Sequence, residues 1–151
     1  MYSAETLISM ADGTFKTINN IRVGDKVYNK LFKPVEVSRV HSSDNTPVVE
    51  VQLNNGTGVF YTSPESKIFC HHVHNDGSHH TEYCSISDAH LEGAKLKNSL
   101  KILSPESDVI FTTYDDSNVS LTKTTYCIHT LESSRTFLVN KIIACCCPEV
   151  V

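Results

Sequence analysis

Short runs of Val, Ile, Thr, Tyr and Phe, cut at brief intervals by turn residues, set the pattern of this chain. Turn signals fall at Asp12-Gly13, Gly24-Asp25, Asn54-Asn55-Gly56 with Gly58, Asp76-Gly77 and Asp115-Asp116. Strand-forming residues on both sides of such turns predict β-hairpins. Residues 6–10 and 14–18 make the first, 48–53 and 59–62 a second, and 68–74 and 79–87 a third. Residues 26–28, 35–40, 102–103, 110–114, 124–129 and 136–143 supply the other strands, with 35–40 alternating at period two. Only residues 87–100 permit a helix, and the weak spacing of Leu91, Ala94 and Lys95 predicts one turn or a loop. Many short strands at this spacing predict an all-β fold: a sandwich, a barrel or a folded-over sheet.

A length of 151 residues, with no break in composition and no obvious repeat, predicts one domain. Lys plus Arg is 13 and Asp plus Glu is 17, a net charge of −4. That excess of acid excludes binding to nucleic acid through its phosphates, which needs a basic surface. No apolar run is long enough to span a membrane. Glu5, Asp12 and Asp25 interrupt any leader-like core, and no basic segment precedes it.

The unusual residues are six cysteines and eight histidines. Three of the cysteines, Cys145, Cys146 and Cys147, are adjacent, so they do not all pair within one compact framework. With no secretory leader, the thiols are expected to be reduced, in a reducing intracellular compartment, and to serve chemistry or metal binding. Five of the eight histidines lie between His71 and His80.

The histidine-rich hairpin has two readings. A three-residue loop at Asn75-Asp76-Gly77 pairs His74 with Ser78, His72 with His80 and Cys70 with Glu82. Strand alternation then puts Cys70, His72, His74, His80, Glu82 and Cys84 on one face. A two-residue loop groups Cys70, His72, His74 and His79 instead. Imidazole and thiolate donors suit zinc, whereas calcium and magnesium prefer oxygen. The expected Zn²⁺ ligands are Cys70, His72, His74 and His80, with Cys84 as a substitute. A polar hairpin with unligated histidines is the competing reading.

Three blocks carry a family resemblance. Met1-Tyr2-Ser3-Ala4-Glu5-Thr6-Leu7-Ile8, with Ala11 to Ile18 and Ile21 to Val27, resembles the opening of a Hint domain. That is the fold of inteins, bacterial intein-like domains and the Hedgehog autoprocessing domain. Thr62-Ser63-Pro64-Glu65-Ser66 is similar to the family's middle Thr-Pro-x-His block, and Ala89-His90-Leu91-Glu92-Gly93 to the stretch that follows it. Thr136 to Ala144 resembles the last intein strand.

The resemblance implies a horseshoe-like fold of short antiparallel strands, a Hint domain over residues 1–147 and a short tail over 148–151. It also implies autocatalytic, single-turnover protein processing that needs no cofactor. A residue at position 1 attacks the preceding carbonyl and turns an amide into an ester or thioester. Residues of the middle block stabilise that step and protonate the leaving amine. The implied partners are the flanking segments of the domain's own precursor and an external thiol, amine or other nucleophile, with the domain a monomer.

The sequence departs from the family pattern at four places. Met1 stands at the nucleophile position, and a thioether has no proton to lose. Ser63 stands for the usual Thr and Ser66 for the usual His, a far better acid near neutral pH. Cys145 and Cys146 stand where the penultimate His and terminal Asn belong, which removes Asn cyclisation. Met1 reads either as an initiator methionine in place of a native cysteine or as a sign that another thiol acts. Cys127, in Tyr126-Cys127-Ile128, is the candidate for that thiol, although inteins of this kind carry a tryptophan that the chain lacks. Its competing reading is a buried structural thiol. Cys146 and Cys147 are candidate acyl acceptors, or else part of an oxidation-prone tail. His41 falls where Hedgehog domains place an activating acid, but is expected to be an ordinary polar side chain. From a different functional class, the competing reading is a degenerate Hint module serving as a zinc-stabilised binding or structural unit.

Overall fold

The computed structural model describes residues 1–97, 108–131 and 135–145. Among them fifteen strands run in chain order: β1 (Tyr2–Ser3), β2 (Leu7–Ser9), β3 (Phe15–Thr17), β4 (Lys26–Tyr28), β5 (Pro34–Pro47), β6 (Val49–Leu53), β7 (Val59–Thr62), β8 (Lys67–Val73), β9 (His79–Ser85), β10 (Lys95–Lys97), β11 (Asp108–Val109), β12 (Phe111–Asp115), β13 (Thr122–Thr130), β14 (Thr136–Val139) and β15 (Ile142–Cys145). One α-helix, α1 (Ile86–Leu91), follows β9, and Ser85 caps it by accepting the Asp88 amide; a 3-10 turn, Ile18–Asn20, follows β3. The expected strand at 102–103 lies outside the described residues.

The strands form two antiparallel sheets. One has the order β12-β6-β7-β1-β13-β5-β4, the other β11-β10-β8-β15-β14-β2-β3, with β9 pairing β8 off that path. The longest pairing joins β5 to β13, and bulges between Lys123 and Thr125 and between His129 and Thr130 bend it. Between the sheets lies one apolar cluster that includes Tyr2, Ile8, Val27, Val51, Phe60, Ile68, Leu96, Ile128, Phe137 and Ile142, all essentially inaccessible. These residues come from nearly every strand, so no part of the chain builds a core alone.

All three hairpins expected from the turn signals are present. β2 pairs β3 and β6 pairs β7. The β8–β9 pair has the three-residue-loop register: Cys70 opposite Glu82 and His72 opposite His80. Gly77 closes that loop at φ 84°, the left-handed region that a side chain disfavours.

Residues 136–143 differ from the expectation. They form a tight hairpin, β14 and β15, instead of one strand. Asn140 and Lys141 take φ of 44° and 64°, the pair of left-handed residues that reverses a chain in two steps. Asn140 is held there by two bonds to β2: its amide donates to the Leu7 carbonyl at 2.8 Å, and its Oδ1 accepts the Leu7 amide at 2.9 Å. The turn thereby ties the last strands to the first. Residues 87–100 also differ: the helix is confined to α1, and Lys95–Lys97 is a strand paired on both sides.

Candidate functional site

β1 is two residues long, and it positions Met1. Tyr2 pairs with Thr62 of β7 on one side and with Tyr126 of β13 on the other. This register carries Met1 past the end of β7, where the Ser63–Ser66 turn begins, and alongside Cys127 of β13. Pro64 fixes that turn, and the Ser66 amide closes it on the Ser63 carbonyl at 3.1 Å.

Hydroxyls of this turn surround Met1. Its nitrogen donates to Ser66 Oγ at 2.8 Å. Its carbonyl oxygen accepts the Ser63 amide at 3.0 Å, Thr62 Oγ1 at 3.0 Å and Ser66 Oγ at 3.3 Å. Thr62 Oγ1 and Ser63 Oγ also lie 2.9 and 3.0 Å from Ser66 Oγ. Thr62, Ser63 and Ser66 are all buried. Burial pushes the Met1 amine down from 8.0 to about 5, against a smaller opposing pull from the Glu65 carboxylate. Burial thus disfavours a positive charge at this nitrogen.

The Ser63 and Ser66 expectations therefore meet at Met1. Thr62 was missed: its hydroxyl lies closer to the Met1 carbonyl than Ser63 Oγ, which is 3.5 Å away. The signal was the strand pattern, since Thr62 ends β7 facing inward. Cys127 is wholly buried and, contrary to the expectation of a reduced thiol, disulfide-bonded. His41 is exposed, opposite Cys127 across the β5–β13 ladder. Ala144 of β15 pairs with Ile68 of β8, so the last described strand runs toward Ser66 and the first residue. Cys145 ends that strand, half-buried, while Cys146 and Cys147 lie outside the described residues.

β8 leaves the same turn and carries a second cluster. Ligand atoms of Cys70, His72, Glu82 and Cys84 all lie within 4.8 Å of one another. His72 Nε2 is 3.4 Å from Cys70 Sγ and 3.0 Å from Glu82 Oε1. On the ring's other side, His72 Nδ1 faces Glu92 Oε2 at 3.5 Å. Contrary to the expectation of reduced thiols, Cys70 and Cys84 are joined sulfur to sulfur. They sit diagonally on one face, because Ile68 stands opposite Cys84 and Glu82 opposite Cys70.

The donor set also differs from the expected one. Glu82 and Cys84 join Cys70 and His72, while His74 and His80 bond each other through Nε2 and Nδ1 farther out. His72, His74, His80, Glu82 and Glu92 line a cavity of about 420 Å³ that opens to solvent. His71 and His79 form a separate stacked pair on the opposite face. Burial, then the Lys97 charge, lowers the pKa of His71.

Two curled antiparallel sheets, with the first residue and the last described strand meeting at one turn, make this a Hint domain in fold. Solved structures agree in shape at low identity. The crystal structure of the MchDnaB-1 intein superposes with a TM-score of 0.70, at 13% identity, over 97% of this chain and 100% of that one. The solution structure of a bacterial intein-like domain from Clostridium thermocellum gives 0.66 at 19%, over 95% and 96%. The Msm DnaB1 intein splicing domain, crystallised with zinc, gives 0.66 at 11%, over 96% and 99%. No protein-family model matches the chain, and no curated protein matches its sequence significantly.

Proposed function

We propose that this chain is an autocatalytic protein-processing domain of intein type, acting once on its own precursor. The observation that carries the reading is the set of hydroxyl and amide donors converging on Met1 from the Ser63–Ser66 turn. A thiol or hydroxyl at position 1 would attack the preceding carbonyl, breaking the amide and forming a thioester or ester. Ser66 holds the nitrogen that becomes the leaving amine, and Thr62 and Ser63 supply preorganised donors beside it. The domain spans residues 1–147, and its partners are the flanking segments of its precursor together with an external thiol, amine or other nucleophile. Without a terminal Asn, the thioester ends in cleavage or transfer to that nucleophile at least as readily as in ligation, with Cys146 or Cys147 as internal acceptors.

Met1 itself does not perform the first step. The present sequence is the processing fold with its nucleophile position occupied by a thioether, or one in which Cys127, once reduction opens its disulfide, begins the reaction. The test is Met1→Cys behind a short upstream tag, resolved on a gel with and without added thiol. Release of the tag supports the reading. Retention under all conditions, with Cys127→Ala also without effect, refutes it.

A second reading is a degenerate Hint module that serves as a zinc-stabilised structural or binding unit. The Cys70, His72, Glu82 and Cys84 cluster favours it, since thiolate, imidazole and carboxylate are all zinc donors and four of them suit its tetrahedral coordination. That a related fold crystallised with zinc lends support without indicating the same ligands. Zinc on the hairpin is compatible with both readings, because the acyl shift itself needs no metal.

A further inference from the structure

The same two cysteines that would hold zinc are bonded to each other, and one sulfur cannot do both. We propose that the base of the β8–β9 hairpin is a two-state site, which takes one Zn²⁺ when Cys70 and Cys84 are thiolates and excludes it when they form a disulfide. The proposal rests on the zinc reading given above and adds the redox condition and the ligand set.

Three features of the cluster support a built site. First, the donors are mixed and converge from a rigid ladder: Cys70 and His72 on β8, Glu82 and Cys84 on β9. Strand pairing fixes all four backbones, so metal binding asks only for small side-chain movements. Second, the two ring nitrogens of His72 have different surroundings. Nε2 faces Cys70 Sγ and Glu82 Oε1, whereas Nδ1 faces Glu92 Oε2. With Glu82 drawn onto the metal, the Glu92 carboxylate behind the ring would hold the proton on Nδ1 and turn Nε2 toward the metal, the arrangement common for zinc-bound imidazoles. Third, access is one-sided. Cys70 is inaccessible and Cys84 nearly so, while Glu82 is exposed at the cavity shared with His74 and His80. Metal, chelator and oxidant would enter by that opening.

The exchange balances with a small disulfide such as oxidised glutathione as the oxidant. One cysteine thiolate attacks it, forms a mixed disulfide and expels one glutathione thiolate. The second cysteine thiolate then attacks the protein-side sulfur and expels the other. Two electrons pass from Cys70 and Cys84 to glutathione, Zn²⁺ is released, and the two leaving thiolates take up protons according to pH.

The state of the pair bears on the processing turn through the backbone. Cys84 lies two residues before Ile86, whose amide donates to the Ser66 carbonyl at 2.9 Å, and Ser87 donates to the Pro64 carbonyl at 3.2 Å. The strand end that carries Cys84 therefore clamps the turn that holds Met1.

The experiment uses the full chain, stripped of metal under reducing conditions and compared with the Cys70→Ser/Cys84→Ser double variant, so that zinc held by the other cysteines is subtracted. Zinc affinity is read by competition with a chromophoric chelator. It is measured on reduced protein and on protein oxidised with glutathione disulfide, with free thiols counted in each. The expected result is one zinc on reduced wild type beyond that of the double variant, and affinity at least about a hundredfold weaker after oxidation removes two thiols more than in the double variant. Glu92→Gln, on the surface, is expected to weaken zinc binding about 10- to 100-fold and leave disulfide formation unchanged. If reduced wild type binds no more zinc than the double variant, the hairpin zinc reading itself fails. If it binds zinc with equal strength in both redox states, or oxidation never pairs Cys70 with Cys84, the zinc reading survives and the two-state site is overturned.

Discussion

Ser66 is the residue that most limits the proposed chemistry, and exchanging it for histidine gives the sharpest expectation. The leaving amine must gain a proton as the amide breaks. Ser66 Oγ stands 2.8 Å from the Met1 nitrogen, within reach for proton transfer, but a hydroxyl holds its proton too tightly near pH 7 to act as an acid. An imidazole at the same distance can protonate the amine and return to its starting state. General acid catalysis of this kind is worth about 10²–10⁴ in rate, or about 3–5 kcal/mol of barrier. The comparison is Met1→Cys/Ser66→His against Met1→Cys alone, each behind the same upstream tag. The turn's outer residue, Glu65, is exposed. The assay is single-turnover tag release with excess thiol from pH 5 to 9, with thermal unfolding to show that both proteins are folded. The double variant should release its tag at least a hundredfold faster, with a rate that titrates near the usual histidine range. A folded double variant no faster than Met1→Cys would refute the assignment of Ser66 to the leaving-group position.

Other expectations concern stability and positioning. The Met1 amine falls from 8.0 to about 5 on folding, so between those values the unfolded chain binds more protons and stability rises with pH; the span corresponds to about 4 kcal/mol. His71 is also lowered, chiefly by burial, and removes stability in the same direction as pH drops below 6.5. Denaturant unfolding between pH 5 and 8 measures both, and an upstream tag should abolish the Met1 part, because an amide does not titrate there. Lys97 is buried and paired with Asp108, so Asp108→Asn, which removes the carboxylate charge beside it, should cost about 1.5–3 kcal/mol, read as a lower denaturant midpoint. Asn140→Ala removes the acceptor for the Leu7 amide and puts alanine at φ 44°; a loss of about 2–3 kcal/mol is expected, with Asn140→Gly recovering the strain portion in the same assay.

How far the sequence could be read depended on whether a feature is local. The hairpin turns were legible because Asp-Gly and Asn-Gly-type sequences constrain the chain within a few residues. Gly77 set the register that pairs Cys70 with Glu82 and His72 with His80. The reversal at Asn140-Lys141 was hidden because neither residue is glycine. What holds Asn140 left-handed is Leu7, 133 residues away. Thr62 was overlooked for a related reason. A block comparison places the hydroxyl at Ser63, but the short β1 strand decides which side chain meets the Met1 carbonyl, and β1 is visible only through its partners on both sides. The metal cluster follows the same rule. Same-face alternation correctly grouped six donors, yet choosing among them needed the diagonal contact of Cys70 with Cys84 and the approach of Glu92 from beyond α1. Periodicity shows which side chains share a face, and only packing shows which of them touch. Both candidate sites lie where distant segments cross, the first at the junction of β1, β7 and β13 and the second between the β8–β9 ladder and the residues after α1. Under the proposed processing role, two distant cleavage regions would meet at such crossings, which are the places a linear reading resolves least.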